Sequence, residues 1–348
     1  STAFAFPTTI NHGYSTCVTC HYSPSGGGLL TSYGKFVAGE LFGRYNDSST
    51  ALPWITKPEE DNKFAAGLLI RAVQTHFDNE QIRRGSFERM EFDVETGVSH
   101  KQFFAFVTTG FRGSSAIEGQ NELDLKVRSF YTGVRDINYA VRAGRFFPEF
   151  GIRHPNHNLP TRKGLYWNQS DEPYLIQATR YTPVVDLTIA YLEGARESRL
   201  DGKRGLMQTI VTKTNTTRSG VSHIRMKEDG STTSATSFFT AIGYMTKGYT
   251  LAEFVMKLDK ESGSRQREQQ LAFVESGWEI TKGVFPYLGY QLTKSITAST
   301  ASMAFPIGIK LYPITHFEIN AEFAFIRTTT ETTAEPGEAA FIMFNGYF

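Results

Sequence analysis

The sequence predicts an all-β fold, a transmembrane antiparallel β-barrel of about 16 strands formed by residues 62–348. Three observations predict it. Segments of roughly ten to thirteen residues alternate apolar and polar side chains, the connections between them alternate in length, and the last segment ends in Phe348. Tilted membrane-spanning strands need about 9–11 residues, whereas strands of soluble proteins usually have about five or six. The segment length therefore favours a membrane barrel.

The alternation is clearest in four segments, 316–326, 123–128, 222–227 and 252–259. A period of two places alternate side chains on opposite faces of a sheet. We expect the polar set to face a watery lumen and the apolar set to face lipid. This rule places His223 and His316 in the lumen. The strands are predicted near 63–74, 85–96, 101–112, 122–133, 137–147, 172–182, 184–195, 204–214, 219–228, 234–246, 249–260, 268–280, 284–295, 301–311, 315–327 and 338–348.

The predicted connections are short on one side of the barrel and long on the other, which is typical of outer-membrane barrels. The longer ones are 113–121, 148–171, 196–203, 261–267 and 328–337. An even strand count places both termini on the short-turn, periplasmic side. The alternative is a soluble all-β propeller or double sandwich. The sequence shows no internal repeat of about 40–50 residues, which disfavours a propeller.

Composition excludes several classes of protein. Lys and Arg total 36 and Asp and Glu total 35, so the net charge of +1 argues against a nucleic-acid-binding surface. No apolar stretch approaches 18 residues, which excludes a helical membrane span. Two cysteines are too few for a disulfide-stapled secreted domain. No hydrolytic motif such as G-x-S-x-G or H-E-x-x-H occurs, and we predict that the protein is not an enzyme.

Residues 1–61 differ from the rest, because they are rich in Gly, Ser, Pro and Thr and show no sustained alternation. Within residues 1–5, Ala3-Phe4-Ala5 has the form of a signal-peptidase site. This triplet is either the remnant of an export signal or a chance match. We treat 1–61 as an N-terminal segment that lies in the periplasm or inside the barrel mouth.

Both cysteines lie in Cys17-Val18-Thr19-Cys20-His21, which has the C-x-x-C-H pattern of c-type haem attachment. Two thiols at this spacing reach the two vinyl groups of one porphyrin, and the following His supplies an axial ligand to the iron. A small disulfide, a redox dithiol or half of a zinc site are the alternatives. The βαβ pattern expected for a redox dithiol is absent, and no further Cys is available for zinc.

The run Cys17 to Lys35, with Ser23-Pro24 and Gly26-Gly27-Gly28, resembles a group of bacterial outer-membrane porin-like β-barrel proteins with one N-terminal c-type haem motif. The resemblance implies one covalent haem c, with Cys17 and Cys20 as thioether ligands and His21 as the proximal iron ligand. His12 is the first candidate for the sixth ligand, and a five-coordinate iron is the alternative. Histidines of the barrel and of its longest loop are further candidates.

The longest predicted loop, 148–171, contains Arg153, His154, His157, Arg162 and Lys163. Two interpretations are open. The loop folds into the barrel and narrows the pore with a positive lining that favours anions, or it is an ordinary exposed loop.

Our first hypothesis is a haem-bearing barrel with an electron-transfer or redox role in the outer membrane. The alternatives are a general diffusion porin in which the haem segment is a structural plug, and a barrel that anchors a partner complex. The partners expected are outer-membrane lipid, a periplasmic or extracellular cytochrome, and two further copies in a homotrimer, by analogy with sixteen-stranded porins. Nucleic acid is not expected.

Overall fold

A computed structural model describes residues 64–347, apart from gaps at 80, 113–123, 155, 157, 168–170, 197, 262, 264–265 and 315, together with 7–15, 20–21, 29–31, 33–34, 37 and 41–44. In this part of the chain, 16 antiparallel strands close into one barrel, with β1 paired to β16. The predicted antiparallel β-barrel of about 16 strands is confirmed. The strands are β1 Phe64–Asn79, β2 Arg83–His100, β3 Phe103–Arg112, β4 Asp124–Asp136, β5 Tyr139–Arg145, β6 Tyr174–Tyr181, β7 Val185–Glu193, β8 Arg204–Lys213, β9 Thr217–Glu228, β10 Ser231–Tyr244, β11 Gly248–Glu261, β12 Arg267–Trp278, β13 Val284–Ser295, β14 Thr300–Leu311, β15 Phe317–Thr329 and β16 Ala334–Tyr347.

Two helices with described bounds accompany these strands, and Tyr33, Gly34, Val37 and Leu41 are helical as well. One is a 3₁₀ helix, Pro7–His12, and the other is the short helix α1, Pro160–Lys163, within the connection between β5 and β6. None of the helices in the described ranges is long and apolar enough to cross a membrane.

Both ends of the barrel chain lie at the end with the short turns, because β1 and β16 are antiparallel and Leu69 pairs with Tyr347. The long connections, 113–123, 146–173 and 194–203, lie at the opposite end. The predicted long loop at 328–337 is wrong, because β15 and β16 extend to leave four residues between them. The strands β9 and β10 are joined by Asp229-Gly230 alone. Gly230 has φ of 73° there, as expected of an Asp-Gly hairpin turn.

The outward face of the barrel is largely apolar, and closure leaves no unpaired strand edge, as lipid requires. The alternation predicted for β15 is confirmed. Glu318 and Asn320 are buried inside the barrel, whereas Phe323 and Phe325 are exposed on the outside. Similar exposed apolar side chains occur around the barrel and include Ile70, Phe92, Val107, Phe130, Ile189 and Leu288.

The facing predicted for β9 is wrong. His223 is exposed on the outer face together with Arg225 and Lys227, whereas Ile224 and Met226 are buried on the inner face. The reason is that the inner wall is not watery along this strand. The connection between β5 and β6 covers it with apolar side chains, so the usual relation between polarity and facing is reversed.

Candidate functional site

The connection between β5 and β6, residues 146–173, folds into the lumen, and we call it the inner loop. It packs on the inner wall of β6–β12 through a buried apolar cluster. The loop contributes Phe146, Phe147, Phe150, Leu165 and Trp167, and the wall contributes Leu175, Ala190, Leu192, Met207, Ile224, Met226, Ala235, Val255 and Leu271. The inward-folding interpretation of this loop is therefore confirmed, and an ordinary exposed loop is wrong.

Polar anchors hold the start of the inner loop against the wall. The Glu149 carboxylate accepts hydrogen bonds from Gln177 Nε2 at 2.8 Å and from Thr188 Oγ1 at 3.2 Å, and it lies 3.3 Å from an Arg142 guanidinium nitrogen. Thr209 Oγ1 donates to the Glu149 carbonyl oxygen at 2.8 Å. Buried polar groups need such partners to avoid a desolvation cost, so these bonds fix the position of the loop.

Gly151 adapts the loop to the wall where no other residue fits. Its φ of +61° lies in the left-handed region. A Cβ built on it would come within 1.7 Å of Glu253 Oε1. The amide of Gly151 donates to Ser222 Oγ at 3.0 Å. Close approach of the backbone to β9 and β11 therefore depends on glycine.

The predicted positive lining is wrong for two of its members. The buried Arg162 guanidinium donates to the carbonyl oxygens of His154 and Trp167, so it supports the loop from within. His154 is also buried, and its Nε2 lies 3.4 Å from Glu275 Oε2. Lys163 is exposed, Arg153 is half-buried, and His157 lies outside the described residues.

We expect docking of the inner loop to weaken in acid. Burial lowers the pKa of His154 from its ordinary value of 6.5, because the imidazolium loses its hydration there, although Glu275 acts in the opposite direction. When the pH falls below 6.5, the ordinary pKa of histidine, His154 takes up a proton more readily in the undocked loop than in the docked loop. Docking is therefore lost progressively below that pH. Limited proteolysis of the inner loop at pH 7.5 and pH 5 measures this change.

The matched control is His154→Gln, which cannot be protonated. Cleavage of the wild type should accelerate in acid, and cleavage of the variant should not. Equal acid sensitivity of the two proteins would assign the effect to another group.

The opposite wall carries a buried ionic network on β1, β2 and β4. Glu91 lies between two guanidinium groups, at 3.2 Å from Arg71 and 2.6 Å from Arg128. Arg128 also lies 2.8 Å from Asp93. Arg71 Nε donates to Asn345 Oδ1 on β16 at 3.1 Å, so the network crosses the seam between the first and last strands.

The remaining wall, from β13 through β16 to β1, is lined by small and polar side chains that are half-exposed towards the lumen. Examples are Thr75, Gln291, Ser302, Ala304 and Glu322. The apolar cluster that docks the inner loop includes no residue of these strands.

The described residues of the N-terminal segment lie at the end of the lumen that contains the short turns. Phe42 packs among Phe285 and Tyr312, with ring centroids 5.9 and 5.0 Å away. The amide of Arg44 donates to the Tyr312 carbonyl oxygen at 2.9 Å. His12 Nε2 lies 3.4 Å from Glu279 Oε2. These contacts place the described residues of the segment in the barrel mouth, which is one of its two predicted positions.

The described part of the C-x-x-C-H motif lies on the β1 and β3 side of this mouth. His21 is 5% exposed and pairs with Leu30 in a short bridge, and Leu30 packs against Leu69 and Tyr347. Two groups of Thr31 donate to the Cys20 carbonyl oxygen, the amide at 2.9 Å and Oγ1 at 3.3 Å.

The surroundings of this motif are largely apolar. Leu29 packs against Phe104 and Phe106 of the inner wall. A Cβ on Gly34 would lie 2.1 Å from the Cys20 carbonyl oxygen, so the chain folds back closely on the motif. Cys17 lies outside the described residues, so the thioether pair is not placed. The candidate sixth ligand, His12, is held by Glu279 at the β10 and β11 side of the mouth.

No family model matches the chain, and no curated protein matches it. Solved structures do. The chain is similar to a loop L8 deletion mutant of OmpT, an outer membrane protein of Vibrio cholerae, with a TM-score of 0.64 and 9% identity over 82% of this chain and 100% of that one.

It is also similar to an anion-selective porin from Comamonas acidovorans, with a TM-score of 0.63 and 7% identity over 82% of this chain and 99% of that one. The outer membrane channel DcaP of Acinetobacter baumannii gives a TM-score of 0.60 and 10% identity over 82% of this chain and 97% of that one. The chain therefore has the porin-like fold of outer-membrane barrels.

Proposed function

We propose that the protein is a diffusion channel of the bacterial outer membrane, in which the N-terminal segment acts as a plug at the periplasmic mouth. One observation carries this proposal: a closed 16-stranded barrel holds an inward-folded loop on one wall, while the opposite wall, β13–β16 and β1, has half-exposed polar side chains on its inner face. Barrels of this strand number enclose an aqueous channel. The porin fold of the neighbours supports the same function, and their outer-membrane location supports the same location here.

Conductance in a planar bilayer tests this function. The purified protein should give stable steps whose size scales with salt concentration, as ions pass through water. A barrel that inserts but does not conduct would leave the anchoring of a partner complex as the better function. One neighbour is described as a trimer form, and we propose a homotrimer here, which cross-linking in detergent measures.

The second candidate function is electron transfer through one covalent haem c. The observation that favours it is the position of Cys20 and His21, which lie inside the barrel mouth beside apolar side chains rather than on the outer surface. The placement of Cys20 and His21, the two described residues of the motif, therefore supports this candidate function. Cys17 and Cys20 would hold the haem by thioethers and His21 would ligate its iron. His12 lies on the other side of the mouth and would have to leave Glu279 to serve as the sixth ligand. The haem would supply one-electron chemistry, for which a periplasmic or extracellular cytochrome is the partner we propose.

Haem attachment has an all-or-none expected result. Protein produced with a cytochrome c maturation system should stain for haem on a denaturing gel. The double variant Cys17→Ser/Cys20→Ser should not stain, because a haem without thioether bonds to the chain is lost on denaturation. Replacing His21 with Ala should remove the proximal ligand and change the optical spectrum.

The control for this experiment is Thr19→Ser, which leaves the motif intact. Unstained wild-type protein would eliminate the haem while leaving the diffusion channel unaffected.

A further inference from the structure

A groove of about 660 Å³ runs over the outward face of strands β8–β12. Its sides are large apolar residues, among them Ile210, Phe238 and Val274, which are exposed on the outside of the barrel. Its floor is made by the small residues Gly220 and Ala252 and others like them. The groove therefore offers a recessed apolar surface within the part of the wall that faces lipid.

Basic residues stand on the same outward face, between this groove and the hairpin turn Asp229-Gly230. Thr232 on β10 pairs with Lys227 on β9 and with Lys260 on β11. We call such a row of paired residues across neighbouring strands a rung. The next rung towards the groove contains Arg225, opposite Ser234, and the rung after that contains His223. Each rung is about 7 Å from the next along the strand.

None of these cations lies within 4.0 Å of a carboxylate among the described residues. Arg204 is paired with Glu193 at 3.0 Å, but Arg225, Lys227 and Lys260 form no ion pair in this part of the chain. Charges on the lipid face of a barrel are destabilising near the bilayer midplane and tolerated near the interface. Their position at the loop end of the wall places them at the level of lipid headgroups.

We propose that this surface binds a phosphorylated glycolipid of the outer leaflet, the lipid A part of lipopolysaccharide. Its phosphates are held by Arg225, Lys227 and Lys260, and its acyl chains lie in the groove below them. The inference rests on the proposed outer-membrane location, in which the loop end of a barrel faces the outer leaflet. Guanidinium groups match phosphate oxygens in a bidentate geometry, and clustered Lys and Arg at an interface recognise anionic headgroups.

A second copy of the chain is a less suitable occupant. In a twofold contact the cations of both copies would meet and repel each other. In the proposed homotrimer the patch would meet a different surface of the next copy, and such a contact would appear as self-association that the triple variant loses. Charge complementarity therefore favours an anionic lipid.

Native mass spectrometry of the full-length protein in detergent tests the proposal, with diphosphorylated lipid A as the probe and monophosphorylated lipid A and phosphatidylglycerol as comparison lipids. We expect the triple variant R225Q/K227Q/K260Q to weaken lipid A binding by about tenfold or more. Ala252→Phe, which fills the groove, should weaken it as well.

The matched controls are R89Q/R327Q, which removes two exposed basic residues elsewhere on the outer face, and Ala105→Phe on the outer face of β3. Both should bind lipid A within about twofold of wild type. We also expect wild type to prefer two phosphates over one, and lipid A over phosphatidylglycerol.

Equal binding by wild type and the triple variant would overturn the proposal. So would equal binding of phosphatidylglycerol, which would indicate general attraction to anionic lipid. Self-association that disappears in the triple variant would also overturn it, in favour of a second copy. Each protein is assayed for conductance in the same preparation. Conducting barrels without lipid A preference contradict this inference alone, whereas barrels that never conduct contradict the proposed channel.

Discussion

Replacing Trp167 with Ala should release the inner loop from the wall and raise single-channel conductance about twofold or more, because a 16-stranded lumen is wide without its loop. Trp167 is buried in the cluster that docks the loop, and its ring lies 4.5 Å from that of Phe150, edge to face. Removing a buried Trp side chain costs about 3–5 kcal/mol. Planar-bilayer recordings measure the step size, and limited proteolysis reports the released loop.

The independent variant Gly151→Val should act in the same direction. The left-handed φ at position 151 disfavours a β-branched residue, and the valine side chain would overlap the Glu253 carboxylate. The control is Tyr191→Ala, which removes an exposed aromatic ring from the outer face. Unchanged conductance in both loop variants would show that the inner loop is not the constriction.

Replacing Glu91 with Ala should destabilise the barrel by about 3–5 kcal/mol, which is the usual cost of leaving a buried charge without its partner. Its side chain is 0% exposed, and the two guanidinium groups beside it are 1% and 4% exposed. The variant would leave Arg71 and Arg128 close together with one carboxylate fewer. Urea-induced unfolding from lipid vesicles, followed by tryptophan fluorescence, measures the shift of the midpoint.

Glu338→Ala is the matched control, because Glu338 is exposed on β16. A surface substitution of this kind changes stability by about 0.5 kcal/mol or less. If both variants unfold at the same urea concentration, the ionic network does not stabilise the barrel.

Strand number and closure were predictable, because they follow from local periodicity. Segments such as β15 alternate in the expected way, with polar side chains such as Glu318 and Asn320 inside and apolar side chains such as Phe323 and Phe325 outside. The facing of β9 was not predictable from its own sequence. Ile224 and Met226 are inside only because the inner loop, more than fifty residues earlier in the chain, covers them. The contact with the inner loop therefore determines which side chains of β9 face inwards and which face outwards.

The candidate site was predictable in part. The loop 148–171 was recognised from its length, but its charges did not indicate its role. Arg162 and His154 are buried and make contacts that support the loop, whereas the aromatic residues of the loop pack on the barrel wall. The anchor Glu149 and the network around Glu91 carried no sequence signal, because each depends on partners from several strands. The ligands expected for haem, Cys17, Cys20, His21 and His12, remain predictions.

The seam between β1 and β16 has a consequence for assembly. Arg71 reaches Asn345, which lies 274 positions later in the chain, so this bond forms only after nearly the whole polypeptide has been made. Contacts of such sequence separation are slow to form. Hairpins such as β9–β10 are local and need no distant partner. We therefore expect the sheet to grow from its middle outwards, with ring closure at the arginine as the last and slowest event of biogenesis.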